Sequence, residues 1–233
     1  SMKKIKPFVI AFIAITLVMF TNDLEAQIFK NPKFGFRIAP NIGWLKPDAK
    51  SYENDGVVFG FSWGFISEFP FEENYYLSSG FNIVFNNGKL KYPHKLNDST
   101  GTLYRRYNLK YLELPVVMRL RAPDVSGFTF YAQLGFGGSI RLDAKAEDKF
   151  IPKDAGIVKR FEKDKISEEI NFLRASLILG GGVEYEIGQS KLMLGLLFNN
   201  GITNVLKGNN TMDASIEHAG KSNFIELNIG FLF

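Results

Sequence analysis

The sequence predicts an all-β fold: an eight-stranded antiparallel up-and-down transmembrane β-barrel. Three observations carry that expectation. Apolar residues recur with a period of two in eight separate segments, the repeat of a strand with one apolar face. The connections between these segments alternate long and short, as in barrels with short turns on one membrane side and long loops on the other. The face opposite the large apolar residues is polar or Gly-rich, which suits a narrow interior better than a lipid-facing wall.

The first segment places Phe34, Phe36, Ile38, Ile42 and Trp44 on one face, with Arg37, Ala39, Asn41 and Gly43 on the other. Pro40 lacks a backbone donor and predicts a bulge or a strand end. Val57, Phe59, Phe61, Trp63 and Phe65 form the second apolar face, followed by a predicted turn over residues 68–73. The third runs through Leu77, Phe81, Ile83 and Phe85, and residues 86–102 read as a polar loop. The fourth covers roughly residues 103–120, with Leu112, Leu114, Val116, Met118 and Leu120 opposed by Glu113, Pro115 and Arg119; Pro115 again predicts a bulge. Residues 121–127 read as a turn.

Phe128, Phe130, Leu134, Phe136 and Ile140 form the fifth face. Residues 143–169 carry dense mixed charge and read as the longest loop, a solvated insertion. Leu173 to Ile187 and Leu192 to Phe198 supply the sixth and seventh strands around a minimal turn at 188–190. Residues 203–222 read as a loop. Ile225, Leu227, Ile229, Phe231 and Phe233 alternate with Glu226, Asn228 and Gly230 as the eighth. Tyr75, Tyr76, Tyr185 and Trp44 near strand ends suit interfacial aromatic girdles. A soluble lipocalin-like barrel would reverse the two faces, with its apolar residues inside.

The first residues read as a secretory leader. Lys3, Lys4 and Lys6 precede an uncharged run from Pro7 to Phe20, and Leu24 and Ala26 suit a cleavage site before Gln27. The expected domains are therefore a signal peptide at 1–26 and a barrel at 27–233, in the outer membrane with both termini periplasmic. The absence of Cys excludes disulfides and thiolate metal sites, and a net charge of +4 without a basic stripe argues against a nucleic-acid partner.

Within this frame the chain resembles the PorT family of outer-membrane β-barrels from the Bacteroidota. The residues that carry the resemblance are Phe34-Gly-Phe-Arg37, the central Tyr111-Leu-Glu-Leu-Pro-Val-Val-Met-Arg-Leu120, and Phe130-Tyr-Ala-Gln-Leu-Gly-Phe-Gly-Gly138. The resemblance covers residues 34–233 and implies an association with type IX secretion. It implies no catalytic motif. Tyr111, Glu113, Pro115 and Arg119 are the matched positions, with an architectural role.

Two groups of residues stand out as candidate sites. Arg37, Glu113, Arg119, Arg141, Arg174, Glu184 and Glu226 fall on non-lipid faces and are expected to pair as a luminal charge network, with Arg174 the preferred partner of Glu113. Lys145, Lys159, Arg160 and Lys163 belong to the predicted charged insertion, a candidate partner-docking loop. His94 and His218 fall in predicted loops and read as solvated; neither a rim nucleophile at Ser99 or Ser222 nor a metal site is specified by their spacing. The expected function is thus non-enzymatic and without cofactors, as a component or accessory of protein secretion and envelope assembly. The expected partners are outer-membrane lipids, lipopolysaccharide and other envelope or secretion proteins. A narrow ion or small-solute channel, a surface adhesion or structural protein, and a rim-active lipid-modifying enzyme are the alternatives.

Overall fold

A computed structural model of the chain describes residues 31–154 and 158–233, without the side chain of residue 163. The expected signal peptide lies outside these residues. The strands are β1 (Lys33–Pro47), β2 (Glu53–Asn54), β3 (Val58–Glu72), β4 (Tyr75–Leu96), β5 (Ser99–Arg121), β6 (Phe128–Pro152), β7 (Lys159–Lys165), β8 (Leu173–Ile187), β9 (Ser190–Gly201) and β10 (Gly220–Leu232).

Eight of them close a ring in chain order, each antiparallel to its neighbours: β1, β3, β4, β5, β6, β8, β9 and β10. β10 returns to β1 in unbroken register from Gly35 opposite Leu232 to Pro47 opposite Gly220. The seam ends on a reciprocal backbone pair, Phe34 N to Phe233 O at 3.1 Å and Phe233 N to Phe34 O at 2.7 Å. Within the ring each strand has a neighbour on both sides, the condition for strands to cross a bilayer.

The large apolar side chains point outward, as the period-two pattern predicts. Phe36, Phe130, Phe136 and Leu196 are each more than 60 % exposed, and the polar face lies inside. The outward aromatics meet across strands, as in Phe36 with Phe65 and Trp44 with Phe198. Tyr75 and Tyr185 are exposed near the short-turn end. The small residues opposite make room for the large ones that cross the interior: a Cβ added to Gly195 would collide with the Tyr131 hydroxyl.

Three expected connections are strand instead. Residues 86–102 are the top of one hairpin: β4 and β5 pair continuously from Asn82 opposite Glu113 to Leu96 opposite Ser99, and turn at Asn97-Asp98, with Asn97 at φ 54°. Most of residues 143–169 is also ladder, because β6 runs to Pro152 and β7 pairs back onto it. Residues 68–72 and Arg121 likewise extend β3 and β5 at the short-turn end. The turn-like composition at 86–102 reflects an environment. Beyond the membrane the outward face meets water and becomes Lys- and Asn-rich, while the strand continues. The prolines also behave differently from expectation. Pro40 and Pro115 shift no register: each pairs with one neighbouring strand, opposite Phe61 and Gly137, and interrupts the ladder to the other, while the bulges fall at Lys110/Tyr111, Pro70/Glu72 and Ala146/Asp148.

The tall strands build a tower above the ring. Its core is apolar and contains Leu45, Leu90, Tyr92, Leu103, Tyr107, Leu109 and Phe150. On β4 the same inward parity passes from Asn82 and Asn86 to Leu90 and Tyr92. On β6 the bulge shifts the parity, so Ser139 faces in below it and Ala144, Ala146 and Phe150 face in above it. Residues 202–219 add Val205 and Leu206 to this core.

A closed barrel resists detergent. Extracted protein is expected to migrate differently on gels before and after boiling, and to need detergent to stay in solution. Identical migration combined with solubility in plain buffer would exclude the ring.

Candidate functional site: a plugged lumen beneath a latched tower

The charged residues that line the interior arrive there by strand parity, and the ring brings them together in layers. Nearest the short turns, Glu68 accepts from both Arg119 and Arg121, the latter at 2.5 Å. Arg121 also grips Glu184 through two bonds, Nε at 2.8 Å and Nη2 at 2.7 Å. Arg119 Nη1 lies 3.5 Å from Glu184, and Lys191 Nζ lies 3.6 Å from it. Gln133 accepts from Arg119 at 2.8 Å, and the two guanidinium groups lie over the rings of Tyr131 and Tyr76 at 4.6 and 3.9 Å. Glu184 is fully buried and Glu68 nearly so.

One layer up, Arg37 pairs with Glu226, whose other oxygen accepts from Ser62 at 2.9 Å; Asn41 in turn donates to Ser62 at 3.2 Å. The next layer holds Glu113. Asn199 donates to it at 2.8 Å and Arg174 Nη1 stands 3.5 Å away. Arg174 divides its donors among Glu113, Asn199 Oδ1 at 2.5 Å, Ser222 Oγ at 2.8 Å and Ser222 O at 3.0 Å. Ser222 therefore sits in the lumen as an acceptor for Arg174 and is no rim nucleophile.

Six of the seven residues expected in the network thus lie inside the ring, in three groups. Arg141 does not join them: its Nη1 donates to the backbone oxygens of Ser167 and Ile170 and ties residues 167–170 across the mouth. Three members were missed, Glu68, Arg121 and Lys191, because turn-like neighbours masked them. The signal was present: Glu68 continues the parity of Ser62 and Gly64, and Arg121 that of Glu113 and Arg119. A charge held out of water costs several kcal/mol unless paired and hydrogen-bonded, so these groups are stable only as a set. The void left among Arg37, Glu113, Arg119 and Glu226 is about 30 Å³, room for about one water.

Of the expected docking residues, Lys145 lies on β6, 3.4 Å from Asp143 and in register with Lys165. Lys159 and Arg160 are exposed on β7, while the Lys163 side chain lies outside the described residues. The basic residues are therefore presented by a hairpin and not by a free loop.

The histidines are not solvated loop residues. Both are half-buried where residues 203–219 dock on the tower. Thr211 Oγ1 lies 2.9 Å from His94 Nδ1 and already accepts from Lys95 N at 3.0 Å, so its own proton is free for the imidazole. Tyr52 Oη lies 2.8 Å from His218 Nδ1 and accepts from Asn210 at 2.7 Å, which arranges the same direction there. Each ring nitrogen Nδ1 is thus held by a hydroxyl. Tyr52 and Tyr92 stack at 4.4 Å beside them. Arg105 lies nearby, held by Asp148 at 2.8 and 2.7 Å and by Glu169 at 2.5 Å. Burial first, and the Arg105 charge second, push both histidines below the ordinary value.

The fold and its interior define a transmembrane β-barrel of the outer-membrane kind, with a lumen lined by paired charges. Residues 25–207 match the outer membrane protein beta-barrel domain family, and the chain belongs to it. It is accordingly an outer-membrane protein. No curated protein matches the chain. Among solved structures it is similar to the outer membrane protease OmpT from Escherichia coli, with a TM-score of 0.51 at 8% identity over 91% of this chain and 99% of that one. It is also similar to Neisserial surface protein A, at 0.47 and 13% over 87% and 96%. OprG from Pseudomonas aeruginosa follows at 0.45 and 12% over 90% and 99%. At these identities the likeness is one of fold.

The Glu68 and Glu113 layers make unequal demands. Glu68→Gln removes the shared partner of two buried guanidinium groups and is expected to cost about 3–5 kcal/mol. Glu113→Gln leaves Arg174 with three other acceptors and is expected to cost less, about 1–3 kcal/mol. Thermal unfolding in detergent, followed by the gel shift, orders the two; an E113Q loss equal to or above that of E68Q contradicts the assignment.

The docked segment also carries a pH dependence. Its docked form takes up protons less readily than its undocked form, because both histidine pKa values are lowered. Docking is therefore unaffected above about pH 6.5 and weakens as pH falls below it. Hydrogen exchange over residues 203–219, corrected for the intrinsic rate, is expected to lose protection at pH 5. His94→Gln with His218→Gln should remove that dependence. Equal protection at pH 5 and 7.5 in the parent chain would refute it.

Proposed function

We propose that this protein is a sealed, non-enzymatic outer-membrane scaffold that works by binding other envelope proteins. The observation that carries this reading is the filled interior. Paired charges occupy the ring, residues 167–170 are tied across its mouth, and an apolar core closes the tower above. Such an interior leaves nothing for a solute to pass through. What the chain offers instead is a rigid external surface, on which function commonly resides.

In this reading the short turns and both termini face the periplasm and the tower stands outside the cell. The β6–β7 hairpin, with Lys145, Lys159 and Arg160, is the docking element. The resemblance to the PorT family points the activity toward type IX secretion, as a component or accessory of that machine.

Reconstituted in planar bilayers, the protein is expected to give no stable conductance of porin size; a steady porin-like channel would move it to a transport role. Gene deletion in the host, followed by a census of surface and culture proteins, tests the secretion role. Export by the type IX route should fall, and a chain lacking residues 153–165 should not restore it. Normal export after deletion would end that role.

A further inference from the structure

A groove of about 470 Å³ opens on the tower where β4, β5, β6 and β7 meet. Lys89 and Arg106 line it and lie directly opposite one another across β4 and β5. Lys149 and Arg160 line it too, directly opposite across β6 and β7. Like charges in directly opposed positions destabilise a strand pair, and here two such pairs share one groove. None of the four makes an ion pair among the described residues, and Arg106 Nε is buried there without a hydrogen-bond partner. A buried, unpaired donor is costly to keep.

Four carboxylates, Asp55, Glu147, Asp148 and Glu162, line the groove beside the four cations and Arg105, so its distinctive feature is the two like-charged pairs and not a large net charge. Asp148 is taken up by Arg105. Glu147 faces Arg106 in register, and Asp55 and Glu162 form no bond to any of the four cations. Tyr104 and Phe161 supply two aromatic faces, with Lys149 Nζ 5.9 Å from the Tyr104 ring.

The level of the groove narrows the ligand class. Lys89 lies four residues beyond the outward Phe85 on β4, and Arg106 six residues beyond the half-buried Leu112 on β5. At about 3.3 Å per residue this is roughly 13–20 Å along the tilted strands past the apolar belt; with the tower outside the cell, the orientation proposed above on which this inference rests, that level lies above the acyl chains among surface saccharides. The volume suits a ligand of one or two sugar rings. We propose that this groove binds a phosphorylated saccharide, with phosphate oxygens on the Lys and Arg side chains and a sugar face against Tyr104 and Phe161. A guanidinium group matches phosphate geometry through paired donors. The inference does not rest on a role in secretion.

The shared chemistry could come from lipopolysaccharide in the membrane or from a free sugar phosphate. Delipidated protein in detergent is titrated with rough-form lipopolysaccharide, with the same material stripped of phosphate, and with glucosamine 6-phosphate, using calorimetry and native mass spectrometry. Phosphorylated lipopolysaccharide is expected to bind, with affinity falling as salt rises. Arg106→Gln combined with Arg160→Gln should weaken binding at least about tenfold. Lys207→Gln, outside the groove, should not. Binding of glucosamine 6-phosphate as well would support a saccharide head sufficient by itself, and its failure beside tight lipopolysaccharide binding would support the lipid-borne form. Retention of the boiling-dependent gel shift shows that the variants still fold. Equal binding of the phosphate-stripped material, parental affinity in the double variant, or no binding of either phosphorylated probe would overturn the proposal.

Discussion

The pairing of β1 with β10 is the interaction on which the other features depend. Lipid offers no partner to a backbone N–H or C=O, so a spanning sheet must satisfy every one of them within itself. The seam from Gly35 and Leu232 to Pro47 and Gly220 keeps one register and pairs all but Ala39 and Pro40 along it. Once the ring is closed, each strand has one face to lipid and one to a confined interior, and residue parity decides which side chain goes where.

The interior then sets its own constraint. Eight strands enclose a space that side chains can fill, and the Arg and Glu residues placed there have no bulk water to neutralise them. Their stability comes from pairing in sets. Glu68 and Glu184 between Arg119 and Arg121 form the densest set, and Arg174 spreads its donors over Glu113, Asn199 and Ser222. The pairing that fills the lumen is thus also what makes charge inside it tolerable.

Above the membrane the same strands meet the opposite solvent problem. Water now lies outside, so the inward face can be apolar and the outward face charged. Tyr111-Leu-Glu-Leu-Pro115 spans the change: Tyr111 belongs to the tower core, and Glu113, two residues on, to the lumen. The two half-buried histidines and Arg141 fasten residues 203–219 and 167–170 over this boundary.

The sequence by itself determined the ring. Eight stretches with a period of two, an apolar face too large for a ligand cavity and a Gly-rich opposite face leave few other folds, because periodicity is a local property of the chain. It also determined which face each luminal charge would occupy. Which charges meet was a tertiary matter. Arg121 finds Glu68 and Glu184 at sequence separations of 53 and 63 residues, distances that no local pattern encodes. The tower was hidden for a related reason. Its outward Lys and Asn residues resemble a loop until strand pairing shows their neighbours Leu90, Tyr92 and Phe150 packed inside. The histidines lie 124 residues apart in the chain, and only the folded tower brings both to the same Tyr92 ring.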